Sequence, residues 1–150
     1  MKNKKSLIIQ AFIGCVILIL AACAPVDEPV SPVDLSGTQW RLTSYGEPGS
    51  ETPVVEETEV TLRFEEEGQA GGSGGCNSFG AQYQISNGEI AFTEIVATEM
   101  ACPGEGVMEQ EMAYFQALRN AETFELTNGE LRIWYNDGQG VLNFVSMNSF

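Results

Sequence analysis

Three turn dipeptides constrain this 150-residue chain more than any other feature: Asn87-Gly88, Asn128-Gly129 and Asp137-Gly138. Each supplies residues that tolerate the positive φ of a tight hairpin loop, and each lies between alternating apolar residues. Asn87-Gly88 sets Ile85 opposite Ile90 and Tyr83 opposite Phe92, all on one face. Asn128-Gly129 pairs Leu126 with Leu131 and Phe124 with Ile133, while Asp137-Gly138 pairs Ile133 with Leu142 and Leu131 with Phe144. Leu131 and Ile133 face the same side in both hairpins, so a three-stranded antiparallel meander is expected to close the domain. On its other face Glu125 falls opposite Arg132, the arrangement of a cross-strand ion pair.

Upstream, residues 38–45 alternate with Trp40 and Leu42 on one face, and residues 59–64 place Val60, Leu62 and Phe64 together. Glu65-Glu66-Glu67-Gly68 reads as a solvated turn leading into a glycine-rich run, residues 71–80. Cys76 and Phe79 inside that run argue against a linker. Glycine is favoured where φ is positive or another atom comes very close, so the run reads as a bulged, tightly packed crossing at the centre of a sheet. One segment departs from the β pattern. Between Pro103 and Asn120, Met108, Met112, Phe115 and Leu118 recur at helical spacing, with Val107 and Tyr114 flanking them. Glu105, Glu109 and Glu111 at its start and Arg119 at its end suit the helix dipole. The methionine-bearing stripe is expected to cover the apolar face of the sheet. The fold class is therefore α+β, mainly antiparallel β: a compact curved sheet or open barrel of short strands with one α-helix packed on it.

Ahead of this domain, Lys2, Lys4 and Lys5 precede an apolar run over residues 7–22, shorter than the ~20 residues that span a bilayer comfortably. That is the pattern of an export signal. It ends in Leu20-Ala21-Ala22-Cys23, which resembles the lipobox of bacterial lipoproteins. The resemblance implies cleavage before Cys23 and a diacylglycerol on its thiol. Residues 24–34 carry three prolines and three acidic residues and read as an extended tether of about 30 Å. The expected organisation is a signal peptide (residues 1–22), the lipidated Cys23 with its tether (residues 23–34) and a globular domain (residues 35–150). The domain is expected to be exported and held by its lipid on the cell membrane or outer membrane, facing the periplasm or exterior.

Cleavage removes all three lysines and leaves four arginines against 21 acidic residues, a net charge of −17. Such a surface repels phosphate backbones and excludes nucleic-acid binding through a basic patch. It favours solubility and attracts cationic partners with salt-sensitive force. Cys15 falls within the signal, which leaves Cys76 and Cys102. In an exported domain an isolated pair reads as a disulfide ahead of a metal or redox site. Such a bridge would contribute about 3.5 kcal/mol by chain entropy. The chain has no histidine, which removes most zinc sites and every His-based nucleophilic mechanism. Phosphate-loop, dinucleotide-binding, nucleophile-elbow and EF-hand patterns are all missing from the sequence. No catalytic, cofactor-binding or metal-ligating residues are assigned.

Several elements together resemble the META domain, the HslJ-like family of bacterial envelope lipoproteins. They are Leu35-Ser36-Gly37-Thr38-Gln39-Trp40-Arg41-Leu42, Gly74-Gly75-Cys76-Asn77-Ser78-Phe79-Gly80-Ala81-Gln82-Tyr83 and Thr98-Glu99-Met100-Ala101-Cys102. The segment with Glu109-Gln110-Glu111 and the ending Leu131-Arg132-Ile133-Trp134-Tyr135 with Asp137-Gly138 complete the set, covering about residues 35–145. The resemblance implies a compact antiparallel β domain with a single helix, cysteines at the family's positions in Cys76 and Cys102, and no catalytic residues. Family members are associated with heat response and novobiocin resistance in bacteria, and with motility or virulence in some parasites. The expected function is a non-enzymatic, lipid-anchored envelope module, a monomer by default, that binds an unidentified envelope protein or ligand. The alternatives are an inhibitor of a cationic secreted hydrolase such as lysozyme, steered by the −17 charge, and a thiol-redox protein using Cys76 and Cys102.

Overall fold

The three hairpins form in the expected registers. A computed structural model describes residues 33–147, so the expected export signal, Cys23 and the expected tether up to residue 32 lie outside the described residues. Strands β5 (Ser78–Ser86) and β6 (Glu89–Ala97) pair Ile85 with Ile90 and Tyr83 with Phe92 across Asn87-Gly88, both of positive φ. Strands β7 (Ala121–Thr127), β8 (Glu130–Tyr135) and β9 (Gly140–Ser146) form the meander, with Leu131 opposite both Leu126 and Phe144. Glu125 and Arg132 are register partners, but they form no ion pair. Arg132 lies 3.8 Å from Glu130 two residues back, and Glu125 accepts a hydrogen bond from Thr127 Oγ1 at 3.2 Å.

The remaining strands are β1 (Gln39–Gly46), the two-residue β2 (Thr52–Pro53), β3 (Val60–Phe64) and β4 (Gln69–Gly74). The sheet closes. The last strand, β9, pairs with β1 from Trp40↔Ser146 to Gly46↔Val141, giving an eight-strand antiparallel barrel with β2 added alongside β1. Closure satisfies the backbone groups that two edge strands would expose. One seam is thin: β6 and β7 share the single pair Glu89↔Thr123, supported by the Phe124 N–H donating to the Gly88 carbonyl at 3.1 Å.

The inward faces fill one core cluster that includes Trp40, Leu42, Leu62, Phe64, Leu131, Ile133, Leu142 and Phe144. Helix α1 (Val107–Arg119) touches β4, β6 and β9, strands spread around the barrel, and so lies across one end of it. Its buried face is not the expected stripe. Val107, Gln110, Glu111, Tyr114, Phe115 and Leu118 are buried, whereas Met112 is 62% exposed and Met108 only partly covered. Two polar residues occupy core-facing turns, which shifts the apolar periodicity that the sequence displays by about one position.

The first part of the glycine run is straighter than expected. It supplies β4, which pairs with β3 and β5 without any register shift. One register shift does begin at the last residue of the run, between Gly80 and Gln82 of β5, and the others fall between Leu42 and Ser44 and between Ala121 and Thr123. The glycines of β4 serve close approach instead of bending. A Cβ on Gly72 would overlap the Thr61 carbonyl, and one on Gly74 would sit 2.7 Å from Glu111 Oε2 and 2.8 Å from the Phe115 ring. The helix can seat on the barrel only because β4 lacks side chains there.

Candidate functional site

Three of the segments that carried the family resemblance, around Cys76-Asn77, residues 98–102 and Gln110-Glu111, meet where α1 sits on the barrel. Cys76 follows β4 and is bonded to Cys102, with Cα atoms 5.8 Å apart. Beside it, Asn77 is 2% exposed. Its backbone N–H donates to Glu111 Oε2 at 2.6 Å and its Nδ2 donates to Glu111 Oε1 at 2.7 Å and to the Met100 carbonyl at 3.1 Å. Its Oδ1 accepts from the Met100 N–H and the Thr98 hydroxyl, both at 2.7 Å. The Cys76 N–H adds a third donor to Glu111 at 3.2 Å. The adjacent Gln110 accepts from the Val55 N–H at 2.6 Å and donates to Thr58 Oγ1 at 3.0 Å. One helical turn thus ties the 76–77 turn, the 98–102 segment and the 55–58 loop together. A buried carboxylate with three donors is a strong cross-link, because each donor would otherwise be left unpaired. Chemically this corner is a lock, with every polar side chain engaged.

Beside the lock runs a groove of about 550 Å³. One wall is the end of β6 and the segment after it, including Ile95, Val96 and Met100. The other is the α1 face of Met108, Phe115 and Arg119. Val96 is 72% exposed and Met100 55%, so the apolar surface here is open to solvent. The β6 strand bends before it reaches the groove: Glu94 has a φ of 53°, a left-handed conformation costly for a residue other than glycine. The lock fixes both walls, since Met100 is held by Asn77 and the helix by Glu111.

A second surface lies on the outside of the meander. Register aligns Glu125, Arg132, Asn143 and Ser44 in one row across β7, β8, β9 and β1. Two adjoining depressions of about 300 and 290 Å³ share Glu130 and Arg132, and the first is also lined by Trp134, Glu51 and Asn143. Asn143 Nδ2 donates to Ser44 Oγ at 3.1 Å. Glu51, on the loop before β2, is held below the usual carboxylate range by the backbone N–H groups of Glu51 and Gly49, with Asn143 and Arg132 adding to the effect.

Of the residues singled out in the sequence, Cys76 and Cys102 are brought together as a disulfide, and Cys23 lies outside the described residues. Glu111, expected only as a helix-start acid, is instead the centre of the lock. Its signal was its place one turn before Tyr114 and Phe115 on the buried face. Among the described residues no group of three or more His, Cys, Asp or Glu side chains is placed to hold a metal ion.

Comparison with solved structures places this fold among known ones. The chain is similar to a protein from Burkholderia xenovorans solved by NMR (TM-score 0.65, 23% identity, covering 84% of this chain and 98% of that one). A second NMR structure matches with a TM-score of 0.61 and 24% identity over 79% of this chain and 99% of the other. A crystal structure of a duf4847 family protein from Bacteroides vulgatus matches with a TM-score of 0.52 at 12% identity, covering 74% of this chain and 93% of that one. At these identities the likeness concerns the fold. No curated protein gives a significant match. The META domain model matches residues 33–148, the whole of the barrel and its helix. This chain belongs to the META domain family.

Proposed function

We propose that this protein is a non-enzymatic binding module, carried on the envelope by a lipid on Cys23 and engaging a partner through the groove between β6 and α1. The observation that carries the reading is the groove itself: exposed Val96 and Met100 stand among polar groups such as Thr98, Glu99 and Arg119, and both walls are held by a buried hydrogen-bond lock. Pairing between β6 and β7 stops at Glu89, so the end of β6 lines the groove with no β7 partner. An extended protein segment laid beside it would gain main-chain hydrogen bonds, with apolar side chains over Val96 and Met100. The acidic surroundings favour basic residues flanking that segment. The lipobox-like Leu20-Ala21-Ala22-Cys23 and the tether after it support the anchored half of the reading.

Affinity capture from an envelope extract tests this, with wild type and Met100→Glu as parallel baits at low and moderate salt. The expected result is one saturable species retained at moderate salt by wild type and lost by the variant. Equal capture by both baits, or capture at low salt alone, would contradict the groove as the binding site. Metabolic fatty-acid labelling abolished by Cys23→Ala is the matching expectation for the anchor.

A further inference from the structure

The row on the outer face of the meander has no part in that reading, and its chemistry points to a different kind of ligand. Strands β8 and β9 are paired along both edges, so their backbone groups are consumed and only side chains are available to a ligand. Those side chains are mixed in a particular way. Arg132 offers a fork of donors, Glu51 and Glu130 offer acceptors, and Asn143, whose amide N–H groups are engaged with Ser44 and Glu51, offers its carbonyl oxygen, all around one depression of about 300 Å³. Trp134 contributes an aromatic side chain to the same lining and is partly exposed. The second depression, of about 290 Å³, extends the site past Arg132 toward Glu125. The polar row crosses four strands, about 14 Å at the usual strand spacing.

We propose that this trough is a binding site for a neutral oligosaccharide lying across β8 and β9. Planar side chains such as Arg, Glu and Asn present paired donors or acceptors that match vicinal hydroxyls. An indole face packs against the apolar C–H face of a pyranose ring. Charge selects within the class. Glu51, Glu125 and Glu130 surround the single Arg132, so phosphorylated or carboxylated sugars are repelled and neutral or N-acetylated ones are admitted. The site is also organised before binding: Asn143 is held by Ser44, and Glu51 by its own loop and Asn143.

The two tryptophans make the test simple. Trp40 is 1% exposed in the core and donates its indole N–H to Thr38 Oγ1 at 2.8 Å, so a sugar reaching the outer face perturbs Trp134. The probes are N-acetylglucosamine trimer, cellotriose and maltotriose, titrated into the protein up to about 10 mM, a range that reveals millimolar affinities. The expected result is a saturable change in tryptophan emission with at least one of them. Calorimetry with Trp134→Ala and with Arg132→Gln is expected to show binding weakened by about tenfold or more, with the melting temperature of Arg132→Gln unchanged. Arg132 is 49% exposed, so its substitution tests the site even if Trp134→Ala folds poorly. Met100→Glu, in the separate groove, is expected to bind the sugar as wild type does. Absence of saturable emission or amide-shift changes with all three probes would overturn the proposal, as would binding that survives both trough substitutions.

Discussion

Glu111 on α1 accepts hydrogen bonds from both the backbone N–H and the side-chain amide of Asn77, at 2.6 and 2.7 Å, across 34 residues of sequence. That pair joins the helix to the turn between β4 and β5, and through Asn77 to the segment that ends at Cys102. Glu111→Ala leaves these donors buried without an acceptor. The expected loss is about 2–4 kcal/mol, and it should appear as a clear drop in melting temperature. Asn77→Asp, which sets a second carboxylate against Glu111, is expected to be at least as damaging. Chemical denaturation of the two variants checks both.

The disulfide closes the same corner covalently. Cys76 and Cys102 are 26 residues apart, so the chain-entropy model assigns the bridge about 3.5 kcal/mol. Replacing both by Ser is expected to lower the denaturation midpoint accordingly and to leave the barrel folded, because the Asn77 and Glu111 bonds remain. Circular dichroism and urea titration of the double variant measure this.

Gly74 and Gly80 lie in the same run and are expected to respond to alanine in opposite directions. Gly74→Ala brings a Cβ to 2.7 Å from Glu111 Oε2 and 2.8 Å from the Phe115 ring, so the helix must shift or the domain must weaken, by about 1–3 kcal/mol for overpacking. Gly80 has nothing within 4 Å of its Cβ position and lies inside β5. Gly80→Ala is expected to stabilise by about 0.5–1 kcal/mol, because glycine in a strand costs backbone entropy. Thermal melts of the two single variants distinguish close approach from mere flexibility.

Tyr114 supplies a pH signature. It is fully buried between the helix and the barrel and donates its hydroxyl to the Thr61 carbonyl at 3.1 Å. Burial raises its pKa far above the ordinary value of 10.0. The unfolded chain therefore ionises this phenol first. The stabilising effect of keeping it neutral is present in full below pH 10 and declines as pH rises above it. Stability measured from neutral to strongly alkaline pH is expected to fall above about pH 10. The fall should be shallower in Tyr114→Phe.

Local signals made much of the fold legible. Turn dipeptides with positive φ fix hairpin register, so Leu131 could be placed opposite both Leu126 and Phe144 before any tertiary information. Alternation likewise identified Trp40, Leu62 and Phe64 as inward-facing. Closure was not legible, because nothing in β1 or β9 alone states that Leu42 faces Phe144 across a separation of about 100 residues. The helix was found but its face was misplaced. Apolar periodicity counts Met108 and Met112 as core and cannot credit Gln110 and Glu111, whose burial depends on donors from distant loops. The glycine run was legible as a packing feature and illegible as to type, since close approach and bulging ask for the same residue. The groove and the outer trough depend on which strands become neighbours, and hairpin signals define that only for sequential strands.

The central claim, that the groove beside the lock is a binding surface, is tested most directly by site-specific photocrosslinking. A benzophenone side chain placed at Val96 in the full-length chain is irradiated in intact cells, with Glu66 on the exposed turn before β4 as the control position. The account predicts a discrete adduct from position 96 that is lost when Met100→Glu is added and is not formed from position 66. No adduct from position 96, or the same adducts from both positions, would contradict it.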